Sequence, residues 1–223
     1  MEPVEIYSTC RMRLIELAPT LSPDQLAAPL AATPPWTVLD GYRHLTGVCV
    51  DVLDGNMEGA GSPAWTSAQL AARSNASIDD VCAEWSTRAP ELDERVAAAG
   101  QAMAFVAFDV WTHEQDVRAA TGIGGARDAE IVPALAELTL ATFGGRYSSG
   151  GAPAVTVIVD GESHVLGDGE PVASLDTTSY ELLRIVFGRR SDAQIAAATW
   201  SGASAEPMKA IHLFDPPPRD ITD

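Results

Sequence analysis

The hydrophobic pattern of this chain changes once along its length, and that change is the strongest limit on its fold. Up to about residue 148, apolar side chains recur at helical spacing. After "GGRYSSGGAP" they alternate instead, in "VTVIVDGESHVLGDGEPVASLD", where two Asp-Gly pairs favour hairpin turns. The sequence therefore predicts an α+β protein, with a helical bundle over 1–148 and a small α+β domain over 149–223.

Within the first part, the apolar period and its capping signals predict five helices. The second opens at "TVLDGYRHLTGVCVDVLDGN", where Thr37 and Asp40 have the spacing of a capping box. The polar, glycine-rich piece "GNMEGAGSPAW" follows this helix. The others are predicted over about 4–18, from Ser77 towards Gly100, over about 101–120, and from about Asp128 to the pair Gly144-Gly145. In the second part we expect hairpin strands, a helix capped near Thr177 or Thr178, a strand at "IAAATWSG" and a final helix at "AEPMKAIHLF".

Composition excludes several classes of protein. The 223 residues are 46% hydrophobic, as in a globular protein, and the formal net charge is −17. Such a charge argues against nucleic acid or an anionic membrane as the main partner. The chain has no 18-residue apolar run and no apolar segment of a secretory signal near its start, so we expect a cytoplasmic protein. Three widely spaced cysteines fit neither a disulfide framework nor a zinc ribbon and are predicted to be buried core thiols.

The segment "AFDVWTHEQDVRAA" places several polar groups in an otherwise apolar helix. Asp109 and His113 are four residues apart, so on a helix their side chains lie one turn apart on the same face. Such a pair can supply two ligands to one metal ion, and Asp116 borders the same face. Spacing alone leaves the alternative of an ordinary ion pair on a solvated helix face.

His44 is the second candidate ligand position. It lies beside the apolar stripe of its helix, and Gly41 and Gly47 flank it. Glycine inside a helix costs about 1 kcal/mol relative to alanine, so space for a ligand or a close helix is a candidate compensation. The alternative is a half-buried histidine satisfied by its neighbours. His164, in a predicted hairpin strand, and His212, on the predicted last helix, are weaker candidates.

Two segments together carry a family resemblance. "TPPWTVLDGYRHLTGV", followed after about sixty residues by "FDVWTHEQDVRAATG", resembles the mycothiol-dependent maleylpyruvate isomerase family. The C-terminal "HVLGDGEPVASLDTTSYELLRIVFGRRSD" resembles the sterol-carrier-like domain of such enzymes. The resemblance implies a DinB-like, up-down four-helix bundle over 1–148, which binds the metal, and a small sterol-carrier-like α+β domain over 149–223.

The same resemblance implies a metal site across two helices of the bundle. Its ligands would be His44, Asp109 and His113, and Asp116 would accept a hydrogen bond from a ligand histidine. Many relatives have glutamate where this chain has Asp109, so the carboxylate is one methylene shorter here. Two histidines and one carboxylate suit a catalytic divalent ion, zinc above all. The arginine that contacts the thiol in the family is not placed by the sequence; its candidates are Arg184, Arg189 and Arg190.

The function implied is that of a divalent-metal-dependent isomerase or S-transferase of a small electrophilic substrate. Mycothiol would be the co-substrate, and the source organism would be an actinobacterium. The partners would be small molecules only, and the protein would be a monomer or a homodimer. The ion would act as a Lewis acid or help to form a thiolate. Two alternatives remain at this point: a non-catalytic metal-binding stress protein, and a bundle that has lost its metal through the change at Asp109 and binds a small ligand.

Overall fold

We describe the fold from a computed structural model, which covers residues 1–127 and 130–223. Within these residues the chain forms ten α-helices and four strands, which are numbered in chain order. The helices of the first part are α1 Pro3–Leu17, α2 Pro23–Leu26, α3 Val38–Asp54, α4 Pro63–Ala72, α5 Ile78–Ala99 and α6 Ala104–Thr121. The remaining elements are α7 Ile131–Ser149, β1 Val155–Val159, β2 Glu162–Leu166, β3 Ala173–Thr177, α8 Ser179–Val186, α9 Asp192–Ala197, β4 Thr199–Gly202 and α10 Ala205–Ala210. The α+β class predicted from the sequence is confirmed.

Local sequence determines where the site-bearing helices begin and end. At the start of α3, the Thr37 hydroxyl accepts a hydrogen bond from the Asp40 amide, and the Asp40 carboxylate accepts one from the Thr37 amide. This is the predicted capping box, which satisfies amides that have no partner within the helix. Helix α3 ends at Gly55, which has a φ of 77°, and α6 ends in the same way at Gly122, with a φ of 69°. Glycine adopts this left-handed conformation without a steric penalty.

Four long helices enclose the core of the first part. Helix α1 packs against α5 and α6, and α3 packs against α4, α5 and α6. The stripe predicted on α3 is buried, and its members are Val38, Tyr42, Leu45, Cys49 and Val52. Burial of apolar surface on this scale supplies the main stabilisation of the packed helices. The contact of α3 with α6 also brings the two predicted metal-binding segments together.

Several helices differ from the sequence-based prediction: α2, α4 and α9 were not predicted, part of α9 lies where a strand was expected, and α7 and α10 have other bounds. Helix α4 was missed because it follows a glycine-rich stretch, although Ser62 as N-cap and Pro63 in the first turn are typical start signals. Helix α7 was predicted to stop at Gly144-Gly145, but it continues to Ser149. Buried contacts of Phe143 and Tyr147 outweigh the low helix propensity of the two glycines. The predicted start of this helix at Asp128 lies outside the described residues.

The sheet has the order β2-β1-β3-β4. Strands β1 and β2 form the hairpin predicted at Asp160-Gly161, with Val157 opposite His164. The second Asp-Gly pair, Asp168-Gly169, does not make a hairpin, because β3 pairs parallel to β1 instead of antiparallel to β2. Strand β1 carries Val155, Val157 and Val159 on its buried face, so the most apolar strand takes a central position with a partner on each side.

The chain divides into two compact units, Met1–Ala126 with Asp223, and Arg127–Thr222. Helix α7 belongs to the second unit, since it packs against α8 and β2, so this division falls earlier than the boundary predicted after residue 148. The assignment of a metal-binding domain to 1–148 and a second domain to 149–223 stays a prediction. Among the described residues, no helix is both long and apolar enough to cross a membrane.

Candidate metal centre

Helix α6 presents Asp109 and His113 on one face, as their spacing predicts. The Nε2 atom of His113 lies 3.7 Å from Oδ1 of Asp109. The His113 side chain is 6% exposed, whereas that of Asp109 is 27% exposed, so solvent reaches this pair from the Asp109 side. Neither the buried histidine nor its partly covered partner fits the alternative of an ion pair on a fully solvated helix face.

Helix α3 adds His44 to the same cluster. His44 is 4% exposed, and its Nε2 atom lies 3.4 Å from Oδ1 of Asp109. One ligand atom from each of His44, Asp109 and His113 lies within 4.8 Å of the other two. Two atoms that each bind a tetrahedral zinc ion at about 2.1 Å stand about 3.4 Å apart. The distances from Asp109 to the two histidines, 3.4 and 3.7 Å, are therefore close to those within a set of zinc ligands.

This geometry also bears on the shorter carboxylate. Asp109 reaches both histidine rings from its place on α6, at 3.4 and 3.7 Å, without the additional methylene of glutamate. The residues present thus fit a divalent ion with two nitrogen ligands and one oxygen ligand.

The outer nitrogen of each histidine ring faces an oxygen atom. Nδ1 of His44 lies 2.8 Å from Oε1 of Gln69 on α4, and Nδ1 of His113 lies 3.4 Å from Oδ2 of Asp116. For His44, a hydrogen bond from Nδ1–H to Gln69 leaves Nε2 as the basic nitrogen, which is the arrangement common in metal-binding histidines. The sequence indicated Asp116 for this place, but not Gln69, because α4 was not predicted.

Aromatic side chains cover part of the cluster. The ring centroid of Trp36, in the turn before α3, lies 4.9 Å from that of His44 and 5.8 Å from that of His113. Trp65 meets His44 edge to face at 6.4 Å, and its indole N–H donates to the carbonyl of Asn56. Both indole rings restrict water around the imidazoles, which strengthens electrostatic interactions there. Neither tryptophan was predicted as part of the site.

Glu114 follows His113 in the chain but points elsewhere. It is fully buried, and its Oε1 atom accepts a hydrogen bond from Nε of Arg118 at 3.0 Å. Burial raises the pKa of Glu114, and the Arg118 guanidinium opposes this rise in part. Glu114 is therefore a buried partner of Arg118 and not a member of the cluster of His44, Asp109 and His113.

The arginine candidates lie in the second unit. Arg184, Arg189 and Arg190 are 1%, 7% and 7% exposed. Both terminal oxygens of Glu181 accept hydrogen bonds from the Arg190 guanidinium, at 2.7 and 2.8 Å. Burial and these contacts do not select one of the three arginines, so the thiol-contacting role stays a prediction for Arg184, Arg189 and Arg190.

The two weaker histidine candidates also lie in the second unit. His164 is partly exposed on β2. His212 follows the last helix, which ends at Ala210 and so is shorter than predicted. It lines an open cleft of about 360 Å³ together with Phe143 and Tyr147.

The three cysteines are thiols and not disulfide partners. Cys10 and Cys49 are buried as predicted, whereas Cys82 is only partly covered. Burial raises the pKa of Cys49 and that of Cys82 to about 11 in each case, so both stay protonated at neutral pH. These two side chains do not have the properties of catalytic nucleophiles.

Comparisons with known proteins bear on the fold of the chain. No family model matches the chain, and no curated protein matches it in sequence. Its fold is similar to the crystal structure of the mycothiol-dependent maleylpyruvate isomerase, with a TM-score of 0.55, 13% identity, and coverage of 92% of this chain and 94% of that one. A histidine-to-alanine mutant of that isomerase matches with a TM-score of 0.54 and the same identity and coverage. At this identity the likeness shows a shared fold.

Proposed function

We propose that this protein is a divalent-metal-dependent enzyme that uses mycothiol to isomerise, or to add sulfur to, a small electrophilic substrate. His44, Asp109 and His113 would hold the ion, which we propose is zinc. The observation that carries the proposal is the approach of three ligand atoms to within 4.8 Å of one another. The fold that the chain shares with a mycothiol-dependent isomerase supports the thiol as co-substrate.

The residues of the chain have separate parts in this chemistry. A bound divalent ion supplies positive charge that favours the thiolate form of a thiol at neutral pH. The two histidines contribute neutral nitrogen ligands and Asp109 contributes one negative charge, so the cluster keeps net positive charge once an ion is bound. Trp36 excludes water from one side of the imidazoles, and the partly exposed side at Asp109 leaves an approach for small molecules.

An external thiol is consistent with the state of the protein's own thiols, because Cys49 and Cys82 are protonated at neutral pH. In an isomerisation, the thiolate forms a C–S bond to the activated alkene, and the electron pair moves to the conjugated carbonyl oxygen. Rotation about the resulting single bond and cleavage of the C–S bond, whose electron pair returns to sulfur, then release the trans alkene and the thiolate. In an S-transfer, the C–S bond stays and the carbanion takes up a proton.

The test combines metal content with thiol-dependent turnover. Protein purified without chelators is analysed for metals and assayed with maleylpyruvate, with and without mycothiol. We expect about one ion per chain and turnover only with mycothiol, and both should be lost in His44→Ala and His113→Ala. His164→Ala is the matched control, because it removes a partly exposed histidine of the second unit.

The product distinguishes the two reactions. Regenerated mycothiol with a trans product supports an isomerase, and a stable conjugate supports a transferase. An ion without turnover on a panel of electrophiles would favour the non-catalytic metal-binding alternative. A wild-type protein without an ion would refute the metal-dependent function.

A further inference from the structure

We propose that Gln69, held in place by Asp51, is a positioning residue that fixes the His44 ring with Nε2 towards the metal. This inference rests on the proposed function, because it assigns a role at the same site. It adds a residue from α4, a helix that contributes none of the three ligands.

The orientation of the Gln69 amide follows from its two partners. Nε2 of Gln69 donates a hydrogen bond to Oδ2 of Asp51 at 2.7 Å. A carboxylate can only accept, so it selects the NH₂ end of the amide. Oε1 of Gln69 must then face His44, where it lies 2.8 Å from Nδ1. An amide oxygen is only an acceptor, and the proton of the neutral imidazole is consequently placed on Nδ1.

With the proton on Nδ1, the lone pair of His44 is on Nε2. This is the atom that lies 3.4 Å from Oδ1 of Asp109. The series Asp51–Gln69–His44 thus directs the ligand nitrogen into the cluster and holds the ring plane. Partners of this kind, which contact a ligand and not the metal, commonly affect metal affinity 10- to 100-fold.

The packing of α3 against α4 is built around the same side chain. Gln69 is 2% exposed. A Cβ atom at Gly47 would lie 2.6 Å from Cβ and 2.7 Å from Cγ of Gln69, closer than side-chain carbons can approach. The space that the sequence indicated beside His44 is therefore occupied by the Gln69 stem. Helix α4 is also anchored by Arg73, which donates two hydrogen bonds to Glu84 on α5.

The first experiment changes Gln69 to leucine, which keeps the approximate volume but removes both hydrogen bonds. Zinc affinity is measured by competition with a chromophoric chelator, and we expect Gln69→Leu to bind 10- to 100-fold more weakly than the wild type. Gln101→Leu, at an exposed position, is the matched control and should bind as the wild type does. Affinity of Gln69→Leu within twofold of the wild type would overturn the proposal.

A second readout does not need the metal. Long-range ¹H–¹⁵N spectra of the metal-free protein report which ring nitrogen of His44 carries the proton. We expect a proton on Nδ1 in the wild type and in Gln101→Leu. Gln69→Leu should give a mixture of tautomers. Asp51→Asn should do so as well, because the asparagine amide can pair with either end of the Gln69 amide. A wild-type His44 without a proton on Nδ1 would overturn the positioning role, whereas a proton on Nε2 in addition to one on Nδ1 would reflect the Asp109 carboxylate.

Glycine variants test the packing step. Gly47→Ala should displace Gln69 and weaken zinc binding. Gly41→Ala is its control on the same helix, because the added Cβ would meet only Leu30, at 3.2 Å, and Val117, at 3.7 Å. Equal affinity of the two variants would count against the role of Gly47. The two proposals can fail separately. A wild-type protein that binds no zinc would refute the proposed function, and the tautomer of the metal-free protein would still test the series Asp51–Gln69–His44.

Discussion

Removal of the Asp109 carboxylate is the most direct test of the site, and the expected loss of zinc affinity follows from the ligand geometry. Asp109 lies at metal-ligand spacing from both histidines. Structural zinc sites with four ligands bind with about 10–16 kcal/mol in total, or about 2.5–4 kcal/mol per ligand. Asp109→Ala should therefore weaken zinc binding by about 60- to 900-fold, and on the proposed function mycothiol-dependent turnover should be lost with it.

The same competition assay is run on Asp109→Ala, Asp109→Glu and Asp176→Ala, an exposed acid on β3 that serves as control. Because Asp109 already reaches both rings, the additional methylene of glutamate should overpack the cluster, at a cost of about 1–3 kcal/mol. If Asp109 were only an ion-pair partner, Asp109→Ala would lower the free energy of unfolding by roughly a few tenths of a kcal/mol and would leave zinc affinity unchanged. Zinc affinity of Asp109→Ala within threefold of the wild type would refute the reasoning.

Further predictions concern the rest of the fold. Tyr7→Phe removes the acceptor of the Trp85 indole N–H, at 2.9 Å in the core, and should lower the free energy of unfolding in urea by about 1–3 kcal/mol without changing zinc affinity. Burial alone would raise the pKa of Asp40, but hydrogen bonds from Thr37 and Arg43 outweigh it and lower the pKa. The difference in free energy of unfolding between the wild type and Asp40→Asn should thus be largest above about pH 4, the unperturbed pKa, and should shrink as the pH falls through the lowered pKa. A difference that does not vary with pH would contradict this. Since burial raises the pKa of Cys49 and Cys82 to about 11, Ellman's reagent should react at pH 8 much more slowly with the folded protein than with the denatured one, and equal rates would count against burial.

Sequence reasoning succeeded where the relevant interaction is local. The Thr37–Asp40 capping box depends on residues three apart, and the facing of Asp109 and His113 depends on one helical turn. Both are consequences of helix geometry, which the sequence order determines directly.

It failed where a distant contact decides. Gln69 reaches His44 from a helix that a glycine-rich stretch conceals, and Trp36 lies over rings from two different helices. The two glycines at 144–145 do not end α7, because Phe143 and Tyr147 are buried on either side of them. In each case tertiary packing overrides local propensity, which a single sequence does not reveal.

The distribution of the ligands along the chain also has a consequence for folding. His44 and Asp109 are 65 residues apart, whereas Asp109 and His113 share one helical turn. An unfolded chain can offer an ion at most the nearby pair, so tight binding requires α3 and α6 to be docked. An ion that selects the native state stabilises it by about 2.7 kcal/mol at a free concentration of 100 times Kd. On the proposed function, the cellular supply of the ion would set the lifetime of the folded protein as well as its activity.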